Sequence, residues 1–335
     1  VRNQRGKSFH TVIGISKLSS IMKSEKIETN FFGLSQQQRE FFKKNGYIGP
    51  FKLYESKEMQ DIWNKLRRQI LDRSHAVYKT DATSSTNNIA NYDRHLDVPF
   101  LGQHICRPEI VHKVRDILGP DILCWRSEFF PKYGGDEGTD WHQADNFAMA
   151  SGKPQIVWPK DGTGGTITVW SAFTEASERL GCLRFIPKSH NQMHYDELKD
   201  MTYKPERINK MEKRGIKRGF FGYDYRELQI DNWVPDEQKA ISLPMQAGEF
   251  IIFWSTLAHS SLPNNGNFKE LRLGFASRYI PTNVKVYPDT KYLEEYGACL
   301  SLEDYGAVLV SGKDNYGHNF IRKNNTRGIP FPLCE

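Results

Sequence analysis

The chain has little cysteine and no long apolar run. Its five cysteines, at 106, 124, 182, 299 and 334, are odd in number and form no Cys-x-x-Cys pair. That pattern indicates neither a disulfide framework nor a zinc site, and reduced thiols are expected. No stretch approaches the roughly 20 apolar residues of a membrane span. No apolar core of a signal peptide follows Arg2 and Arg5, so a cytoplasmic location is expected. Phosphate-binding glycine motifs are missing too. Asp161-Gly162-Thr163-Gly164-Gly165-Thr166 lacks the Gly-Lys-Ser/Thr ending of a phosphate loop, and no Gly-x-Gly-x-x-Gly opens a helix, so nucleotide and flavin readings fail. Ser255 and Ser260, close to His259, form no nucleophile elbow, which leaves hydrolase chemistry without a motif. No internal repeat is visible.

What remains is a folded chain. With 335 residues, 38% hydrophobic, 26% charged and seven tryptophans, it can bury a sizeable core. The net charge of +6 mildly favours an acidic partner. No aromatic-basic motif points to nucleic acid. The densest basic stretch, Arg207, Lys210, Lys213, Arg214, Lys217 and Arg218, reads either as solvated surface or as a docking patch.

Residues 1–30 are polar and aperiodic and read as a flexible extension; residues 31–335 read as a single domain. Ser35 before Gln37, Gln38, Phe41 and Phe42 predicts a short capped helix, and Asn45-Gly46 leads into a strand with Tyr47, Ile48 and Phe51. Helical spacing of Met59, Ile62, Trp63, Leu66 and Ile70 predicts a helix over 57–71, and 109–118 is a third. From Asp121 the pattern changes. Segments 122–130, 166–173, 181–186, 249–255 and 271–280 are rich in aromatic or β-branched residues, with Gly, Pro or Asn between them. The expected fold is therefore mainly β, a double-stranded β-helix (jelly roll, cupin-like) flanked by α-helices.

The chemistry centres on Trp141-His142-Gln143-Ala144. Two histidines and a carboxylate on one face hold non-haem Fe(II), with the carboxylate commonly supplied two residues after the first histidine. Here that place is Ala144, which cannot ligate. If iron binds, a coordination position and a negative charge are vacated, and chloride fits both. The plainer alternative is a strand histidine without metal. His259, in Thr256-Leu257-Ala258-His259-Ser260 after an apolar strand, is the candidate second ligand. On the strand 271–279, positions 272, 274, 276 and 278 share a face reading Arg, Gly, Ala, Arg. Arg272 and Arg278 around small residues leave room for a dianion such as 2-oxoglutarate; surface salt bridges are the competing reading. Thr168 and Trp170 share a face and offer a hydroxyl and an indole N–H. Two literal His-x-Asp matches, His95-Leu96-Asp97 and His194-Tyr195-Asp196, lack strand context, and Asp145 at i+3 is expected to point away from His142.

Glu128-Phe129-Phe130-Pro131-Lys132-Tyr133, residues 138–145, 151–155, 164–170, 250–257 and Gly274-Phe275-Ala276-Ser277-Arg278-Tyr279 carry a resemblance. From about residue 31 nearly to the end, the chain resembles the syringomycin-type non-haem Fe(II)/2-oxoglutarate aliphatic halogenases of the phytanoyl-CoA dioxygenase superfamily. The resemblance implies iron on His142 and His259, chloride beside Ala144, and 2-oxoglutarate held through Thr139, Trp170, Arg272 and Arg278, with Glu128 and Thr168 near the pocket. It implies an O2-dependent reaction in which hydrogen is abstracted from an unactivated C–H and chlorine is transferred. The implied substrate is an aminoacyl group thioesterified to the phosphopantetheine of a peptidyl carrier protein, in non-ribosomal peptide natural-product biosynthesis. Phe147, Phe220, Phe221 and Ser255 are expected in the substrate and chloride pocket. Met149 stands where a threonine-chlorinating member has asparagine, which suits a leucine- or valine-like group better than threonine. A hydroxylase of the same superfamily and a catalytically inactive jelly-roll binding module are the alternatives.

Overall fold

The computed structural model describes residues 32–78, 92–148, 152–160, 165–199, 201, 224–230, 232–295 and 298–334. Met149, Phe220, Phe221, the basic run from Arg207 to Arg218 and the 1–30 extension lie outside the described residues. From Phe32 onward the chain clusters as one compact unit.

Helix α1 (Gln36–Asn45) begins where the sequence places it, because the Ser35 hydroxyl accepts from the Gln38 amide and the Gln38 side chain returns the bond to the Ser35 amide. It ends at Gly46, whose φ of 83° lets its N–H reach the Phe42 carbonyl. Strand β1 (Tyr47–Lys52) follows, then α2 (Ser56–Leu71), α3 (Pro99–His104) and α4 (Pro108–Leu118). The strand-rich region comes next: β2 (Ile122–Lys132), β3 (Thr139–His142), β4 (Ile156–Val157), β5 (Ile167–Ala172), β6 (Leu183–Phe185), β7 (Ile241–Leu243), β8 (Glu249–Trp254), β9 (His259–Ser261) and β10 (Arg272–Pro281). The chain closes with β11 (Lys285–Val286), which pairs with β4, the hairpin β12 (Tyr292–Glu295) and β13 (Ala298–Ser301), and β14 (Val308–Ser311).

Two antiparallel sheets make the jelly roll, one ordered β1-β8-β5-β10-β2-β14 and the other β3-β9-β6-β7. Alternation along the strands sorts side chains to two cores. Phe129, Val169, Phe250, Ile252, Leu273, Phe275 and Tyr279 turn outward and pack with the helix residues Met59, Leu66, Ile110, Val111 and Val114. Trp170, Ala172, Ile251, Phe253 and Ala276 turn inward and meet Leu183, Phe185 and Leu243 of the second sheet. The inward face is where β10 places Arg272, Ala276 and Arg278, so the face shared by these positions is the barrel interior. Among the described residues no helix is long and apolar enough to cross a membrane.

Candidate active site

The two histidines meet through strand pairing. His142 ends β3, His259 opens β9, and the two are Cα partners in the antiparallel ladder. Their ring centroids lie 4.0 Å apart. Each ring is oriented by its own backbone: His142 Nδ1 is 2.8 Å from the Asp140 carbonyl, and His259 Nδ1 is 2.7 Å from the Leu257 carbonyl. A carbonyl only accepts, so both Nδ1 atoms carry the proton and both Nε2 atoms keep a lone pair. Burial holds His142 neutral, with its pKa pushed down to about 4. Burial, with His142 beside it, pushes His259 well below its ordinary value. Tyr225 stacks on the His142 ring at 4.7 Å, from a short 3-10 turn that sequence reasoning does not single out. Two neutral imidazoles on a cavity wall are a donor pair for a divalent transition metal. Among the described residues no third His, Cys, Asp or Glu completes a metal-binding group.

Ala144 is buried on the same cavity wall, its N–H bonded to the Ser255 carbonyl at 2.9 Å. The Ser255 hydroxyl accepts from the Thr166 amide, so both backbone and side chain of Ser255 tie the end of β8 to β5 and to the Ala144 segment. Phe147, at a positive φ of 59°, turns its ring onto the cavity and onto Trp125. The buried Glu197 carboxylate accepts the Asp145 and Asn146 amides and holds this turn in place.

The cavity has a volume of about 90 Å³ and is also lined by Thr139, Thr168, Trp170, Glu128, Arg272 and Arg278. The two β10 arginines differ. Arg278 is paired, its Nη1 2.8 Å from a Glu128 oxygen, and its guanidinium lies 5.1 Å from the Phe147 ring centroid. Arg272 is buried, donates to the Phe130 carbonyl at 3.1 Å, and has no salt bridge among the described residues. Its cross-strand partner is another cation, Lys132. Space beside Arg272 differs from the sequence reading: a Cβ at Gly274 would lie 1.9 Å from Trp170 Cζ2, so the room left by glycine is filled by the indole. A third guanidinium, Arg126, also reaches the cavity; it is the Cα partner of Arg278, lies 4.1 Å from the Tyr92 ring centroid and donates to Gln155. The alternation of Arg126, Glu128 and Phe130 is its signal in the sequence, but only alignment of β2 with β10 turns it into a site residue. Among the described residues the cavity lining carries three guanidiniums and one carboxylate, Glu128.

The rival His-x-Asp pairs lie elsewhere. His95 is buried in a 3-10 turn with Nδ1 on the Ser127 hydroxyl, and Ser127 is on the outward face of β2. Asp97 is consumed by Arg94, which binds both of its oxygens. His194 stacks flat on Trp233 at 4.2 Å.

The phytanoyl-CoA dioxygenase (PhyH) model matches residues 42–271, more than half of the chain. The chain belongs to the phytanoyl-CoA dioxygenase family. Among solved structures it is similar to "CytC3 with Fe(II) and alpha-ketoglutarate", with 43% identity, a TM-score of 0.71, and coverage of 90% of this chain and 98% of that one. A non-heme monooxygenase, ThoJ, is 20% identical with a TM-score of 0.58 over 85% of this chain and 87% of its own. EctD from S. alaskensis with bound Fe is 17% identical with a TM-score of 0.51 over 76% and 79%. The last two speak to fold alone. Comparison with curated proteins gives no match.

Proposed function

We propose that this member of the phytanoyl-CoA dioxygenase family is an Fe(II)/2-oxoglutarate-dependent halogenase that uses O2 and chloride to chlorinate an unactivated aliphatic carbon. Its substrate in this reading is an aminoacyl group on the phosphopantetheine arm of an acidic peptidyl carrier protein. One observation carries the reading: two neutral imidazoles present lone pairs beside a buried methyl, Ala144, where a carboxylate ligand is expected. The 43% identity to a protein described with Fe(II) and alpha-ketoglutarate supports the iron and the co-substrate. The net charge of +6 supports an acidic partner.

The residues fit the implied groups. His142 and His259 would hold iron, which supplies the one-electron oxidation of a C–H bond when bound with its co-substrates. Arg272, with no carboxylate of its own, would take the distal carboxylate of 2-oxoglutarate, with Thr139 and Trp170 beside it. Ala144 leaves space and charge for a halide, and the surplus of guanidiniums favours anions there. Glu128 is engaged by Arg278, which keeps this carboxylate from substituting for the missing ligand. Phe147 and the buried walls would exclude water from a reacting carbon and fix where it stands, and that placement would decide between chlorination and hydroxylation.

The test is intact-mass analysis of a panel of aminoacyl carrier proteins incubated with the reconstituted enzyme, 2-oxoglutarate, O2 and chloride. Replacement of hydrogen by chlorine supports the proposal. A product that gains oxygen instead makes the chain a hydroxylase. No binding of Fe(II) or 2-oxoglutarate makes it an inactive module.

A further inference from the structure

A chain of hydrogen bonds runs from a buried cation to the Thr139 hydroxyl. Lys132, at the end of β2, is only 5% exposed, and its stem passes beneath Gly181, where a Cβ would sit 2.8 Å from Lys132 Cδ. Its Nζ has three oxygen neighbours: the Glu137 carbonyl at 2.8 Å, the Ser261 hydroxyl at 2.9 Å and the Leu262 carbonyl at 3.0 Å. Three acceptors match the three N–H donors of an ammonium. Desolvation and the neighbouring Arg272 push its pKa well below the ordinary lysine value, against the opposing charges of Asp136 and Glu137; the three acceptors in turn favour the ammonium form. Ser261, the Cα partner of Thr139, lies 3.0 Å from the Thr139 hydroxyl.

Direction follows from donor counting. With its oxygen accepting from Lys132, Ser261 gives its single proton to Thr139. Thr139 then accepts on that side, and its own proton is left to point at an acceptor in the cavity it lines. The Cα partner of Lys132 is Arg272, so two buried cations stand side by side without a salt bridge to either among the described residues. Like charges directly opposed on a sheet are unfavourable, and an anion held at Arg272, which lines the cavity, offsets part of the repulsion.

We propose that Lys132 and Ser261 are positioning residues that polarise the Thr139 hydroxyl into a donor for the distal carboxylate of a dicarboxylic 2-oxo acid. They thereby set the preference for 2-oxoglutarate over a 2-oxo monoacid. This rests on the assignment of 2-oxoglutarate to the cavity.

The experiment measures binding, not turnover: calorimetric titration of the Mn(II)-loaded protein with 2-oxoglutarate and with 2-oxopentanoate, which has the same carbon chain and no distal carboxylate. In the unmodified protein 2-oxoglutarate binds the tighter of the two; equal affinities overturn the assignment of the co-substrate itself. Ser261→Ala is expected to weaken 2-oxoglutarate about tenfold, the scale of a charge-assisted hydrogen bond, and to leave 2-oxopentanoate unchanged. In a Thr139→Val background Ser261→Ala is expected to add nothing, because the relay acts only through that hydroxyl. Lys132→Met repeats the selective loss if it folds, and Ser261→Ala is decisive if it does not. Full discrimination in Ser261→Ala, or equal weakening of both ligands, overturns the relay while leaving the co-substrate assignment standing.

Discussion

The indole of Trp170 occupies the place of a side chain at Gly274: a Cβ there would lie 1.9 Å from Cζ2 and 2.1 Å from Cε2. Arg272 lies 5.5 Å from the Trp170 ring centroid, so glycine, indole and guanidinium form one packed unit. Gly274→Ala is expected to displace the indole at a cost of about 1–3 kcal/mol, the range of overpacked cores. The same shift should weaken 2-oxoglutarate binding. Denaturant midpoints together with co-substrate titration check it, and an unchanged affinity would separate the indole from the co-substrate.

The metal assignment predicts that His142→Ala and His259→Ala each abolish stoichiometric Fe(II) binding, since only two protein side chains would hold the ion. Metal analysis after anaerobic reconstitution and desalting measures this. Full occupancy in either variant would remove that histidine from the site.

Glu128 and Arg278 form a buried pair, with side chains 5% and 11% exposed. Glu128→Ala is expected to cost about 3 kcal/mol because it strands a guanidinium in the interior, and adding Arg278→Met should recover part of the loss. Urea unfolding of the single and double variants reads the difference. A single variant as stable as the parent would mean that solvent already screens the pair.

Much of this frame is legible in the sequence, because long elements bury a continuous face. The α2 spacing of Met59 and Leu66 and the shared faces of β5 and β10 follow from a local period, the start of α1 follows from the Ser35 cap, and β8 follows from its apolar run. The short strands are not legible in this way. β3 has four residues and β9 three, too few for a period, and Trp141 is the one apolar side chain between them. His142 and His259 can be named separately, yet their facing positions arise from cross-strand register between residues over a hundred positions apart. Tyr225, Arg126 and Lys132 escape for the same reason, since their roles depend on which strand or turn lies beside them. Gly274 reads as open space because a one-dimensional pattern cannot show that a neighbouring strand fills it.

Acid sensitivity follows from buried histidines outside the site. His104 is held neutral by burial and by Arg107, its pKa lowered to about 3, between the Tyr54 hydroxyl at 3.1 Å and the Ser171 hydroxyl at 3.0 Å. Its unfolded value is near 6.5. Between those values the unfolded chain binds the extra proton, so this contribution is whole above pH 6.5 and is lost as pH falls toward 3. His95, also lowered to about 3 by burial, adds in the same window. His104→Gln is expected to flatten the stability slope between pH 6.5 and 4 without removing it. Urea midpoints across that range check this, and an unchanged slope would contradict it.

The most direct test of the account is Ala144→Asp. The new carboxylate would stand where the reading places chloride, competing for the position and repelling the halide. The measurement is intact-mass analysis of carrier-bound product from the parent and the variant, each with Fe(II), 2-oxoglutarate, O2 and chloride. The account predicts chlorinated product from the parent and none from the variant, even where the variant retains iron; hydroxylation need not replace it, because the substrate carbon is placed for the halide. Undiminished chlorination by the Ala144→Asp variant would show that position 144 does not border the chloride site, and would contradict the central claim.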